Sequence, residues 1–216
     1  MLVVIAMTLV ASVSMAADAV RVVDGDTLDI GGVRYRLHGI DAPESGQECR
    51  SENGGSWPCG QGAIEKIKQI VSRGEVACEP KDRDRYGRIV AVCRIDGRDI
   101  NTEMVSSGFA WAFRKYSADY VEVEADAQRR QVGVWQAPTE TPWDFRTKKW
   151  DTAEGASSSR KCPIKGNISR KGEKIYHVPW SKDYAKTKIK PGSGERWFCS
   201  EDEAIAAGWR PPSSGK

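Results

Sequence analysis

The residues best suited to chemistry lie in DGDTLDIGGVRYRLHGIDAPE, residues 24 to 44, which holds Asp24, Asp26, Asp41 and Glu44 with Arg36 between them. A charged ester such as a phosphodiester repels nucleophiles and gathers more negative charge on oxygen as it reacts. Its hydrolysis needs a cation near the phosphoryl oxygens, further positive donors and a group that activates water. Asp26 and Asp41 offer hard oxygen ligands, which favour Ca²⁺ or Mg²⁺ over softer metals. Glu44, beyond the turn fixed by Pro43, is placed to act as a general base. Arg36 and, further along, Arg88 can each donate two hydrogen bonds to a phosphoryl group. Asp24 reads as a turn residue. Singly, these residues have ordinary explanations: Asp-Gly-Asp is usually an exposed turn, and KDRDRYGR before Ile89 reads as a solvated hairpin tip. The ordered set carries the reading.

Positioning such groups requires rigid elements. Leu28 and Ile30 alternate with Asp29, and Val33, Tyr35 and Leu37 alternate with Arg34, Arg36 and His38, so two strands are expected on either side of a Gly31-Gly32 hairpin turn. Residues 45–60 are polar and glycine-rich, a loop bracketed by Cys49 and Cys59. Ala63, Ile64, Ile67, Ile70 and Val71 form the apolar stripe of an amphipathic helix. Two strand-like runs, 75–79 and 88–95, flank the KDRDRYG loop, with Cys78 and Cys93 at similar distances from it. A short helix is expected over 99–107, and another from a cap at Ser117 to about Gln131. Helices and short strands in mixed order indicate an α+β domain.

The chain has 216 residues, 39% hydrophobic and 29% charged, with a net charge of +3. This excludes a disordered chain and permits a polyanionic partner without demanding one. The apolar run over residues 1–16 ends in small residues, as a secretory signal does, although no Lys or Arg precedes it. The even number of cysteines (Cys49, Cys59, Cys78, Cys93, Cys162, Cys199) suits an oxidising compartment. The expected organisation is a signal peptide over 1–19, a catalytic domain over 20–136, a linker over 137–160 rich in Pro, Thr and Ser, and a small module over 161–212. That module is too small for a confident core and is expected to be stapled by a Cys162–Cys199 bridge. His38 reads as a surface or barrel residue. His177 lacks the spacing of a zinc site with Cys162 and Cys199.

The series DGDT, R-x4-D-x-P-E, D-R-Y-G-R and a helical segment ending in GVW resembles the staphylococcal nuclease family over roughly residues 20–135. The resemblance implies a five-stranded OB-type β-barrel with three helices and Ca²⁺-dependent hydrolysis of DNA and RNA, with Mg²⁺ or Mn²⁺ as possible substitutes for the one calcium ion. It implies Asp26, Asp41 and the backbone carbonyl of Ala42 as calcium ligands, Glu44 as general base, and Arg36 and Arg88 as the phosphate clamp. Arg85 and Tyr86 match positions lining the nucleotide site, and Tyr116 is expected to pack on a base, while Arg114 stands where a second aromatic is expected. The protein is expected to be secreted or periplasmic, monomeric and not stably associated with membrane. The alternative is a non-catalytic OB-fold module that binds nucleic acid or a cell-envelope polymer. Such a module has no need of Glu44 or the carboxylates.

Overall fold

The structure, a computed structural model, describes residues 19–156 and 162–212. The apolar run over 1–16 lies outside them, as do the last residues of the expected Ser-rich linker. Strands β1 (Val20–Asp24), β2 (Thr27–Ile30) and β3 (Val33–Leu37) form an antiparallel meander. The β2–β3 turn is Gly31-Gly32, and both residues have positive φ, 59° and 86°, a backbone that side chains disfavour. Strands β4 (Val76–Arg83) and β5 (Ile89–Ile95) form a second hairpin, and β5 pairs in parallel with β3, setting Arg36 opposite Val90. The strand order is therefore β1-β2-β3-β5-β4, with the short strand Arg98–Asp99 added at β5.

The parallel β3–β5 pairing requires a crossover, and helix α1 (Cys59–Val71) lies within it. Its predicted stripe is buried: Ala63, Ile64, Ile67 and Ile70 join Leu28, Leu37 and Ile95 in the main core. Helix α2 (Ile100–Ser106) starts at Asp99, whose carboxylate accepts the Thr102 N–H. Helix α3 (Val121–Arg129) starts later than the Ser117 cap predicts. Ser117 instead accepts the Asp119 N–H within a preceding turn. This α+β arrangement is the expected OB type. A two-residue strand, Ile40–Asp41, pairs with Trp111–Ala112 and fixes the backbone of Asp41.

The expected Cys162–Cys199 disulfide is formed, and the cysteines that bracket the 45–60 loop and those that flank the KDRDRYG loop pair as Cys49–Cys59 and Cys78–Cys93. Cys78 and Cys93 face one another directly in the β4–β5 register. The small module consists of strands β6 (Ile164–Ile168), β7 (Lys174–His177) and β8 (Arg196–Phe198), in order β7-β6-β8, followed by helix α5 (Glu201–Ala206). Its core holds Ile164, Tyr176, Phe198 and Trp209.

One expectation is corrected. The segment read as a linker carries a 15-residue helix, α4 (Pro142–Ala156). The Pro and Thr that suggested a linker start this helix. Thr141 accepts the Asp144 N–H at 3.3 Å and donates to its carboxylate at 2.6 Å, with Pro142 at the first helical position. Trp143 stacks on Phe113 at 5.4 Å, and Trp150 packs against the core of the small module.

Candidate active site

The β1–β2 turn, the end of β3 and the Ile40–Asp41 strand bring the predicted acids together. Arg36 lies between them, donating through Nη1 to Asp26 Oδ1 at 2.7 Å and through Nη2 to Asp41 Oδ1 at 2.9 Å. Asp26 also accepts from the Thr27 hydroxyl at 3.0 Å and the Ala42 N–H at 3.2 Å. Burial opposes ionisation of Asp26, but Arg36 and then Arg88 outweigh it and hold its carboxyl below the usual range. Burial also opposes the charge of Arg36, and Asp26 and Asp41 overcome it, so its guanidinium is held more firmly protonated than usual.

Glu44 is placed by its backbone. A side chain at Gly60 would put its Cβ 1.7 Å from the Glu44 carbonyl oxygen, so only glycine lets the first turn of α1 come this close. Gln47, fully buried, accepts the Glu44 N–H at 3.2 Å and donates to the Glu140 carbonyl at 2.8 Å. The same amide thus ties Glu44 to the entry of α4.

Two residues join the site that sequence reasoning left out. Asp24 does form a turn, accepting the Gly25 N–H at 2.9 Å, but it also lines the cleft beside Asp26 and Glu44. Burial and the Asp26 charge push its carboxyl up to about 7. Arg146, from α4, donates to Glu44 Oε1 at 2.6 Å and to Asp41 Oδ2 and Oδ1 at 2.7 and 3.2 Å. Burial, with the charges of Asp24 and Asp41, pushes Glu44 up to about 8 against the pull of Arg146. No local signal marks Arg146: it is one arginine in a Pro- and Thr-rich stretch.

The second half of the site is the β4–β5 hairpin tip. Asp84 accepts from Arg88 Nε at 2.6 Å and from the Arg88 and Tyr86 N–H groups, which holds Arg88 in one orientation. The Arg85 and Arg88 guanidiniums lie 4.8 and 5.3 Å from the Tyr86 ring centroid. Tyr116, 64% exposed, packs edge-on against Phe113. Asp26, Arg36, Ala42, Glu44, Arg85, Tyr86, Arg88 and Tyr116 all line one cleft of about 1220 Å³. Asp41 has no exposed surface and lies behind the wall. The small module forms the opposite side of the cleft through residues such as Tyr176, Trp180 and Glu201. His38 lines the cleft at its edge, 3.9 Å from Asp119, and takes no part in the acid cluster.

The geometry can therefore set a negatively charged ester between an acidic wall and a basic hairpin. The sequence profile described as "Staphylococcal nuclease homologue" matches residues 34–137. The micrococcal nuclease of Shigella flexneri is 35% identical over 163 residues, covering 65% of this chain and 88% of its own length. The chain belongs to the staphylococcal nuclease family. An uncharacterized endonuclease of Escherichia coli is 36% identical over 138 residues, covering 60% of this chain and 84% of the relative. The succinoglycan biosynthesis protein ExoI of Rhizobium meliloti (strain 1021) is 36% identical over 122 residues, and the chain spans 64% of its length. The family profile takes in Arg36, Asp41, Glu44 and Arg88 but stops before Arg146.

The donor set fits the hard divalent cation that the family implies. Oxygen ligands are gathered on one wall, and burial, together with the charges of neighbouring carboxylates, raises both Asp24 and Glu44, a repulsion that a cation would relieve. Among the described residues, no three such groups are already arranged as a metal site. Two guanidiniums stand between them instead.

Proposed function

We propose that this member of the family is an exported, Ca²⁺-dependent nuclease that hydrolyses phosphodiester bonds of DNA and RNA. The observation that carries the reading is the convergence of Asp26, Arg36, Glu44 and Arg88 on one cleft. Relatives named as micrococcal nuclease and endonuclease support it. Bound calcium, held by Asp26, Asp41 and the Ala42 carbonyl, would neutralise the phosphate and stabilise charge gathering on its oxygens. Glu44 takes the proton of the attacking water as its oxygen bonds to phosphorus. The bond from phosphorus to the 5′ oxygen breaks, that oxygen takes a proton from solvent water, and a 3′-phosphate and a 5′-hydroxyl are left.

Arg36 uses two of its five N–H groups on Asp26 and Asp41, which leaves others for a phosphoryl oxygen. Arg88 is anchored through Nε on Asp84, and among the described residues both its terminal nitrogens remain for the same purpose. Arg85 and Tyr86 line the nucleotide path, and the exposed ring of Tyr116 offers a face to a base. Three disulfides suit an oxidising compartment, and among the described residues no helix is long and apolar enough to cross a membrane. The enzyme acts as a monomer in this reading.

The test is digestion of plasmid and single-stranded DNA and of RNA by purified protein, with Ca²⁺ or with chelator. Cleavage is expected only with the metal, and no cleavage with any divalent metal would refute the proposal. Glu44→Gln is expected to bind DNA with little change while losing roughly 10² to 10³ in turnover. Full activity in that variant would remove Glu44 from the mechanism.

A further inference from the structure

Arg146 occupies the two acids that the reaction assigns to the cation and to water. Both oxygens of Asp41 are taken by guanidinium N–H groups, Oδ1 by Arg36 and Arg146 and Oδ2 by Arg146. The same guanidinium reaches Glu44 at 2.6 Å. Among the described residues, these two carboxylates receive all its hydrogen bonds. A dication on Asp41 and a guanidinium on the same oxygens repel one another, and in so buried a place water screens that repulsion little.

We propose that Arg146 is a positioning residue which holds the Asp41–Glu44 pair in the metal-free protein and is displaced when the cation binds. Calcium then enters in exchange for a guanidinium. The helix need not move for this. Thr141, Trp143 and Gln47 hold the start of α4 in place. The Arg146 side chain, 24% exposed, opens onto the cleft and can swing into it by side-chain rotation. Arg36 holds only the Oδ1 atoms of Asp26 and Asp41, whereas Arg146 alone covers Asp41 Oδ2, so its departure frees an oxygen for the cation while Arg36 leaves the acid cluster one counter-charge. The consequence is a calcium requirement set above what the carboxylates alone would give. The inference rests on the calcium-dependent reading above.

The test is calorimetric titration of Ca²⁺ into the metal-free full chain as wild type, Arg146→Gln and Arg146→Lys, together with melting in chelator and in calcium. Arg146→Gln is expected to bind calcium roughly ten- to a hundredfold more tightly, with Arg146→Lys between the two. In chelator Arg146→Gln is expected to melt below wild type, and in saturating calcium it should match or exceed it. A residue that only braced the fold would lower both melting points equally. An unchanged or weaker calcium affinity in Arg146→Gln, beside a wild type that does bind calcium, or equal losses in both melts, would overturn the proposal alone. If Arg146→Gln does not fold, Arg146→Lys decides by the same criteria. Calcium binding by none of the three would overturn the calcium reading with it.

Discussion

Glu44 and Asp24 carry a stability signature that differs from that of ordinary surface acids. Their carboxyls are raised from 4.5 to about 8 and from 3.8 to about 7, in both cases first by burial. A folded-state value above the unfolded one means that the native protein holds protons which the unfolded chain releases. The stabilisation is present below about 4 and is lost as pH rises through 8. Melting of the chelated protein between pH 4.5 and 8 is expected to fall with rising pH, and Asp24→Asn should flatten the fall. A rising curve in the wild type, or the same slope in the variant, would contradict this. Much at this scale was legible, because Asp26, Arg36, Asp41 and Glu44 belong to one hairpin and its exit, where local spacing fixes who can meet whom. The turn role expected of Asp24 holds, since its carboxylate accepts the Gly25 N–H, but nothing in the local spacing marks that it also faces the cluster. Arg146 was out of reach. Its partner Glu44 is 102 residues away, and no periodicity links them.

At the scale of elements, α4 decides how the site is closed. The strands and α1 followed from alternation and an apolar stripe. In α4, Pro, Thr and charged residues outnumber the apolar ones, and its aromatic anchors serve separate partners, Trp143 on Phe113 and Trp150 on Trp180, so they form no stripe. Its start signal lay in plain sequence as Thr141-Pro142-Trp143-Asp144, a cap, a first-turn proline and an acid at the third helical position. Thr141→Ala is expected to cost about 1 kcal/mol by loss of the cap. If α4 holds Arg146 as described, the same change should loosen the Arg146–Glu44 contact. Denaturant melts measure the first effect, and hydrogen exchange of the 143–147 amides measures the second. Unchanged exchange would mean that the aromatic anchors alone seat the helix.

At the scale of the molecule, two cores share one cleft. The small module was legible as a stapled unit from its two cysteines, but its place against the nuclease domain was not, because docking depends on surfaces far apart in sequence. Its Glu201 lies in the same cleft as Arg85 and Arg88, accepts the Tyr176 hydroxyl at 2.9 Å, and is raised by burial against the pull of those groups. Removing the Cys162–Cys199 bridge, which closes a 37-residue separation, is expected to cost about 4 kcal/mol on the chain-entropy account. A Cys162→Ser, Cys199→Ser variant should therefore lose the module's protection from proteolysis while the nuclease domain stays folded. Simultaneous loss of both would show that they unfold as one unit. Arg146 and Trp150 stand four residues apart on α4, so they share one face of the helix. Trp150 meets Trp180 of the module with ring centroids 6.3 Å apart. The charge at the acid cluster and this indole pair are thus joined by a single turn of helix. The protein therefore contains an optical reporter of its own cleft: both rings line it, and their emission is expected to change when a nucleotide enters.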